Sequence, residues 1–142
     1  MKQESVIGHA QAAAAIDEIR QELERIGKSA VIAVADAHGE LVAFLRMDGA
    51  PLSSIAVACN KAYTAARLRR TTREVGTRVR ERGIDISYYG DPRVVGFGGG
   101  VPVMHDGACV GGIGVSALSD AEDEALAVQG VAAMVGEGSE TG

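Results

Sequence analysis

The chain has 142 residues, of which 46% are apolar and 23% are charged, so its composition favours one globular domain over a disordered protein. The net charge of −5 and the aromatic content of only 4% argue against nucleic-acid binding, which needs cationic surfaces and stacking rings. No apolar run reaches membrane-spanning length and the first residues lack the apolar core of a signal peptide, so we expect a cytoplasmic protein with no membrane partner.

The first half of the chain is predicted to form a helix, a β-hairpin and two further helices. Apolar residues recur every three or four positions from Ser5 to Gly27, which indicates the first helix. Residues 30–35 and 41–47 are apolar runs of strand length around a glycine-containing turn, so they predict a hairpin covered on both faces. A second helix, lined by alanines, follows over residues 53–69, and a capping box opens a shorter one over residues 71–83.

The second half begins with an aperiodic segment, residues 84–100, which we expect to be a functional or lid-like loop because such segments are uncommon in compact domains. A second hairpin is predicted over residues 101–116, around an Asp-Gly turn. A capping box at Ser119 opens a final helix that ends near Val135, and residues 136–142 are expected to form a frayed polar tail.

These elements follow the order α-ββ-αα-ββ-α within one domain of residues 1–142. Two hairpins can join into a single antiparallel sheet, and helices can then cover it. We therefore predict an α+β fold, a profilin-like layered domain whose central antiparallel sheet is built from the two hairpins and flanked by helices.

Glycine is unusually abundant, with 19 residues, roughly twice the common level. The run around Gly98–Gly100 lacks both the Lys-Ser/Thr of a phosphate loop and the GxGxxG spacing of a dinucleotide site, so nucleotide binding is not expected. Gly111, Gly112 and Gly114 lie inside a predicted strand, where glycine indicates either close packing of another backbone or a ligand against the sheet.

Arginines are concentrated between Arg67 and Arg82, which hold seven of the 14 Lys and Arg residues. Three interpretations stay open: ion pairs with acidic surfaces of neighbouring subunits, a site for a carboxylate or propionate, or a nucleic-acid patch. The acidic total disfavours the last of these.

None of the three histidines has a metal-ligand spacing to another, so no zinc site is expected. His38 and His105 fall at hairpin turns, where exposure is the simplest expectation. His9 continues the apolar stripe of the first helix, and it is either a packed or interface histidine or an axial ligand of iron.

Lys61 lies on the alanine-lined helix, where it is either an ordinary lysine that extends to solvent or a desolvated base or anion-binding group. Cys59 and Cys109 lie far apart, with no adjacent histidine and no CxxC motif, so they are predicted to be reduced structural thiols.

Six short motifs in one order resemble the GlcG/HbpS family, the haem-degrading (DUF336) domain that also forms the C-terminal part of PduO-type proteins. The resemblance covers about residues 11–133. The motifs are Asp36–Gly39, Arg46–Ala50, Lys61–Ala65, Gly98–Pro102, Gly111–Ser116 and Asp123–Ala127.

The resemblance implies an α+β domain with a central antiparallel sheet, and homo-oligomers that are often octamers. It also implies that haem or a related tetrapyrrole is bound by some members, at times between subunits, with His9 as the iron ligand in this sequence. Two departures stand out: Ala117 replaces a glycine that usually follows the Gly-Val-Ser motif, and the loop Ser87–Arg93 is particular to a subgroup.

Our first hypothesis is therefore an oligomeric small-ligand-binding protein, with haem as the cofactor. The alternative is a metal-independent enzyme of a catabolic pathway that acts on a small aromatic or carboxylated compound. The candidate catalytic residues are Lys61, Tyr88 and Tyr89, and the candidate ligand-binding residues are Arg46, Asp48, Lys61, Arg93, Gly98, Gly99 and Gly100.

A homo-oligomer, at least a dimer, is also expected from the apolar helix surfaces. The first, second and last predicted helices offer more apolar surface than one small sheet can bury, and surplus apolar surface marks interfaces. By resemblance the oligomer could reach an octamer.

Overall fold

The computed structural model describes the backbone of residues 6–141 and the side chains of residues 6–134. Four α-helices, four strands and one 3-10 helix follow the order that the sequence predicted, with the 3-10 helix inside the segment expected to be an irregular loop. They are α1 His9–Arg25, β1 Val31–Asp36, β2 Leu41–Arg46, α2 Ser53–Leu68, α3 Thr72–Arg82, the 3-10 helix Ile86–Tyr89, β3 Gly100–His105, β4 Ala108–Ser116 and α4 Asp120–Thr141.

The two hairpins join into one antiparallel sheet with the strand order β2-β1-β4-β3, which confirms the predicted α+β architecture. β1 and β4 lie in the middle of the sheet and pair with each other from Val31–Ser116 to Asp36–Gly111. β2 and β3 are therefore the edge strands. Helices cover both faces of the sheet, with α2 on one face and the α1–α4 pair on the other.

The alternation of side chains along β1 separates two apolar clusters. Ile32 and Val34 belong to the large cluster formed with α1 and α4, whereas Ala33 and Ala35 pack against α2. The apolar stripe of the first helix is buried in the large cluster, together with Ala127 and Met134 of α4. α1 and much of the described part of α4 therefore bury their apolar side chains within the chain, although Val128 of α4 is 54% exposed. These two helices leave less apolar surface for neighbouring subunits than the sequence suggested.

Close approach between α2 and β4 explains the glycines of the second hairpin. A Cβ atom at Gly112 would overlap the carbonyl oxygen of Ala62, and one at Gly114 would overlap that of Ala58. Gly111 faces the other side of the sheet, where a Cβ would overlap Ile7. At these positions the glycines allow close packing, and no space for a ligand is left against the sheet.

Two helix boundaries differ from the sequence prediction. α1 begins at His9 rather than at Ser5, which lies outside the described residues, because Gly8 has an extended backbone and receives the side chain of Gln11 as a cap. α4 continues to Thr141 instead of ending near Val135, since glycine costs a helix only about 1 kcal/mol and does not break it as proline does. The predicted fraying of residues 136–142 stays a prediction, since the side chains of residues 135–142 and the backbone of Gly142 lie outside the described part of the chain.

The hairpin of β1 and β2 is covered on both faces only along β1. Leu41 and Phe44 of the edge strand β2 point to the same face as their partners Ala35 and Ala33, yet they are 54% and 38% exposed. The prediction that both strands are central is therefore wrong for β2, because α2 lies over β1 and β4 and does not reach across the edge strand.

The chain leaves β4 through a backbone conformation that usually requires glycine. Ala117 has a φ of 138°, in a region that non-glycine residues occupy at a cost of about 1–3 kcal/mol. The residue lies between Ser116 and Leu118, whose N–H donates to Asp123. The departure noted in the sequence at Ala117 is thus a place of backbone strain between β4 and α4.

Three further observations concern membrane-spanning helices, metal sites and cysteines. No helix in the described part of the chain is both long and apolar enough to cross a membrane. Among residues 6–134, no group of three or more His, Cys, Asp or Glu side chains is arranged to hold a metal ion. Cys59 and Cys109 are both free thiols, as predicted.

Candidate functional site

Lys61 of α2 forms a buried ion pair with Asp123 of α4. The Lys61 Nζ atom donates to Asp123 Oδ2 at 3.2 Å and to the carbonyl oxygen of Val115 at 3.0 Å, and the two side chains are only 3% and 2% exposed. Burial raises the pKa of Asp123, while the ammonium group and the N–H of Leu118 act in the opposite direction. The pair joins α2, β4 and α4 beneath the surface.

The Gly98–Gly100 segment packs directly around this ion pair. The N–H of Gly98 donates to Asp120 Oδ2 at 3.1 Å, and the N–H of Gly100 donates to Thr72 Oγ1 at 2.9 Å. A Cβ atom at Gly99, which has a φ of 130°, would lie 2.7 Å from Lys61 Nζ. The first turn of α4 thus packs against Lys61 and Gly98–Gly100, which the sequence proposed as ligand-binding residues, and substrate access to Lys61 would require the ion pair to open.

A second polar cluster surrounds Tyr63, which is buried on α2. Its hydroxyl group donates a short hydrogen bond to the carboxylate of Asp91, and this bond together with burial raises the pKa of Tyr63. The guanidinium of Arg93 lies 3.7 Å from the centre of the Tyr63 ring and that of Arg67 lies 5.2 Å from it. Thr64 also accepts from the N–H of Val95. These contacts fasten the middle of the segment 84–100 to α2.

A cavity of about 160 Å³ opens beside this cluster. Its walls come from the turn between β1 and β2, from one side of α2, and from the loop that carries Arg93. The Arg93 Nη2 atom is 3.3 Å from Glu40 Oε1 in an ion pair whose side chains are 46% and 62% exposed. The lining residues are Ala35, Gly39, Glu40, Leu41, Cys59, Asn60, Tyr63 and Arg93.

The remaining ligand-binding candidates lie elsewhere. Arg46 and Asp48, at the end of β2, line an open depression of about 300 Å³ together with Arg20 and Glu24 of α1. This depression and the 160 Å³ cavity share no lining residue. The structure therefore brings Arg93 to one site and Arg46 with Asp48 to another.

The predicted catalytic tyrosines lie on the 3-10 helix Ile86–Tyr89. Tyr88 is 74% exposed, and neither Tyr88 nor Tyr89 lines the two cavities described above. Lys61 is buried against Asp123, so the three candidate catalytic residues do not form one constellation in this conformation.

His9 is the first residue of α1 and its side chain is exposed. It follows the spacing of the apolar stripe, but the stripe becomes buried only from Ala12 onward. The interpretation of His9 as a histidine packed within this chain is thus wrong, whereas an exposed imidazole is accessible to a ligand or to a second copy.

Some of the clustered arginines make contacts within the chain. Arg73 pairs with Glu124 of α4 at 3.1 Å, and Arg67 donates to the carbonyl oxygen of His38 at 3.2 Å. These contacts reduce the number of arginines available to a neighbouring subunit or to an anion, two of the three interpretations that the sequence left open.

Sequence reasoning missed Tyr63, Asp91 and Asn60. Tyr63 stood within the motif Lys61–Ala65 and Asp91 within the loop before Arg93, but neither spacing shows that residues almost 30 positions apart meet. A buried aromatic ring between two arginines is visible only once the loop is folded onto α2.

Comparison with known proteins identifies relatives along almost the whole chain. Residues 7–132 match the family described as haem degrading protein HbpS-like. A 15.0 kDa protein from the dhaT-dhaS intergenic region of Citrobacter freundii is 38% identical over 102 residues, which are 68% of this chain and 70% of that protein. The corrinoid adenosyltransferase PduO of Salmonella typhimurium is 34% identical over 108 residues, 73% of this chain but only 32% of that enzyme.

Solved structures share the fold closely. The protein ORFY of Klebsiella pneumoniae superposes with a TM-score of 0.87 at 28% identity, over 95% of this chain and 94% of that one. The PduOC protein, solved as a haem complex, superposes with a TM-score of 0.82 at 27% identity, over 91% and 95% of the respective chains.

Proposed function

The chain belongs to the haem degrading protein HbpS-like family, and from this premise we propose that it binds haem or a related tetrapyrrole as a homo-oligomer. The observation that carries the proposal is the similarity over almost its full length to a protein solved with haem. The chain covers only a third of the adenosyltransferase PduO, so that enzyme's reaction does not enter the proposal.

The size of the cavities restricts where haem can lie. The two described cavities measure about 160 and 300 Å³, at or below the lower end of the roughly 300–1,000 Å³ that drug-sized ligands occupy. Neither of these two cavities can therefore hold a haem, and we place it on a surface of the chain that a second copy can cover. An exposed side chain is the right kind of iron ligand for such a site.

His9 is the residue we assign to the iron. Its imidazole is exposed at the start of α1, and Val6, which is 68% exposed, adds apolar surface just before the helix. Bound haem would supply an iron centre whose behaviour depends on its axial ligand. The contribution of this chain would be to hold the iron with His9 and to shield one side of the macrocycle.

Replacing His9 with Ala is expected to abolish the shift of the Soret band that the wild-type protein produces when haemin is added, because the iron loses its imidazole ligand. Replacing His38 with Ala serves as the matched control, since His38 is also exposed but lies in the β1–β2 turn. A Soret shift in His9→Ala as large as that of the wild type, or no shift in the wild type, would remove the proposal.

The edge strand β2 supplies the surface for association. Phe44 and Leu52 are 38% and 72% exposed, and the half-buried Ile55 of α2 adjoins the small apolar cluster on the same face. An edge strand also has unpaired backbone groups along its outer side. A second copy that covers this face would bury both the apolar side chains and the strand edge.

Replacing Phe44 with Asp is expected to shift the protein from a dimer or larger species to a monomer of 14.6 kDa, because a charge cannot be buried unpaired in an apolar interface. Light scattering after size exclusion at micromolar concentration measures the mass. The control is Val128→Asp, which places the same charge at an exposed residue of α4 on the opposite side of the sheet. A wild-type mass of one chain would contradict the proposal.

A further inference from the structure

The 160 Å³ cavity beside Tyr63 is independent of any haem site, because haem is too large to enter it. The cavity is nevertheless built like a small-ligand site, with an apolar floor and a few polar groups that converge on it. Ala35 and Leu41 supply the apolar wall, while Arg93, Asn60 and Glu40 supply the polar groups.

The guanidinium of Arg93 is held in place before any ligand arrives. It stacks on the Tyr63 ring at 3.7 Å, and the ring is itself fixed by the hydrogen bond from its hydroxyl group to Asp91. The backbone N–H of Arg93 also donates to Asp91 Oδ1 at 3.0 Å, which fixes the loop that carries the side chain. A planar guanidinium in a fixed position binds a carboxylate through two parallel hydrogen bonds with little loss of side-chain freedom.

The polar groups of the cavity also have capacity for a ligand. Among the described residues, the carboxamide of Asn60 makes no side-chain hydrogen bond, so its NH2 group can donate to an oxygen of a ligand. The only acidic partner of the Arg93 side chain there is Glu40, at 3.3 Å in a solvent-exposed pair, and such pairs contribute little. A ligand carboxylate can therefore displace Glu40 from Arg93.

We propose that this cavity binds a small monocarboxylic acid, with its carboxylate on Arg93, hydrogen bonded also to Asn60, and its short apolar chain against Ala35 and Leu41. The size of the cavity sets the class of ligand: about 160 Å³ corresponds to roughly five water molecules at the volume each occupies in the liquid. A four-carbon acid such as butyrate is of about this size.

Cys59 lines the cavity and reports on its occupation. Butyrate is expected to slow the alkylation of Cys59 by iodoacetamide, because the occupied cavity blocks access to the thiol. The reaction is run at mildly alkaline pH, since burial raises the pKa of this thiol, and it is monitored by peptide mass spectrometry. Cys109, which contacts the carbonyl oxygens of Ala66 and Gly111 and lies outside the cavity, is the internal control. Butyramide at the same concentration tests whether the carboxylate charge is needed, with sodium chloride to match ionic strength.

Arg93→Gln is expected to weaken the protection of Cys59 by butyrate at least tenfold. Arg67→Gln is the matched control, because Arg67 also flanks the Tyr63 ring but does not line the cavity. Glu40→Gln is expected to strengthen the protection, since it removes the carboxylate that competes for Arg93. The proposal is overturned if butyrate does not slow Cys59 in the wild type, if butyramide protects equally, or if Arg93→Gln retains wild-type protection.

Discussion

Replacing Lys61 with Met is expected to lower the free energy of unfolding by about 3–5 kcal/mol, the cost of removing one partner from a buried ion pair. Asp123 is 1% exposed, so its carboxylate would remain in the interior without the ammonium group that faces it at 3.2 Å. Urea denaturation followed by circular dichroism measures the change.

The dependence of this loss on pH follows from the direction of the pKa shift. Burial raises the pKa of Asp123 above 3.8 in the folded protein, so the protonated carboxyl group is the form that tolerates burial. The destabilisation of Lys61→Met should therefore be small below pH 3.8 and should grow as the pH rises through the folded-state pKa.

Two variants separate the ion pair from general effects of substitution. The double variant Lys61→Met with Asp123→Leu should recover most of the lost stability, because apolar side chains of similar size can replace a buried pair. Lys28 also pairs with a residue of α4, Glu122, at 2.7 Å, but this pair is solvent-exposed. Lys28→Met is therefore expected to cause no measurable loss of stability. A loss in Lys28→Met equal to that in Lys61→Met would contradict this explanation.

Replacing Gly114 with Val is expected to destabilise the fold by about 3 kcal/mol or more, the upper range for overpacking a close contact. The new Cβ atom would overlap the carbonyl oxygen of Ala58 and lie 2.7 Å from the backbone nitrogen of Ala62. Both atoms belong to the backbone of α2, so no side-chain rotation relieves the overlap and the whole helix must move away from β4.

The control for Gly114→Val lies on the same strand. Ala108 is exposed at the start of β4, and Ala108→Val adds apolar atoms to the strand without bringing them against α2. Thermal unfolding of both variants compares the two positions directly. Equal melting temperatures would show that β4 and α2 are not packed backbone to backbone.

Elements that depend on neighbours a few residues apart were predictable from the sequence. The capping box of Thr71 and Glu74 opens α3 as predicted, and that of Ser119 and Glu122 forms at the start of α4. The element order and the antiparallel sheet are also confirmed. The exposed face of β2 was missed, because apolar residues on both sides of a strand look the same whether this chain or a second copy covers them.

The candidate site was predictable only in part. Lys61, Arg93 and Gly98–Gly100 were singled out as residues, but the partners that define their chemistry were not. Lys61 meets an acid 62 positions away, and Arg93 meets a ring that stands 30 positions before it. Spacing along the chain carries no information about contacts of this range.

The sequence by itself determined the order of the elements, the turns and the family resemblance, since these depend on local periodicity, on glycine placement and on short motifs. Only the tertiary structure decided that Lys61 is buried in an ion pair and that Arg93 stacks on Tyr63 at the wall of a cavity. The physical reason is that α2 lies close enough to β4 for its alanines to touch glycine backbones. This contact directs Lys61 inward to α4 and leaves Cys59, Asn60 and Tyr63 facing the cavity.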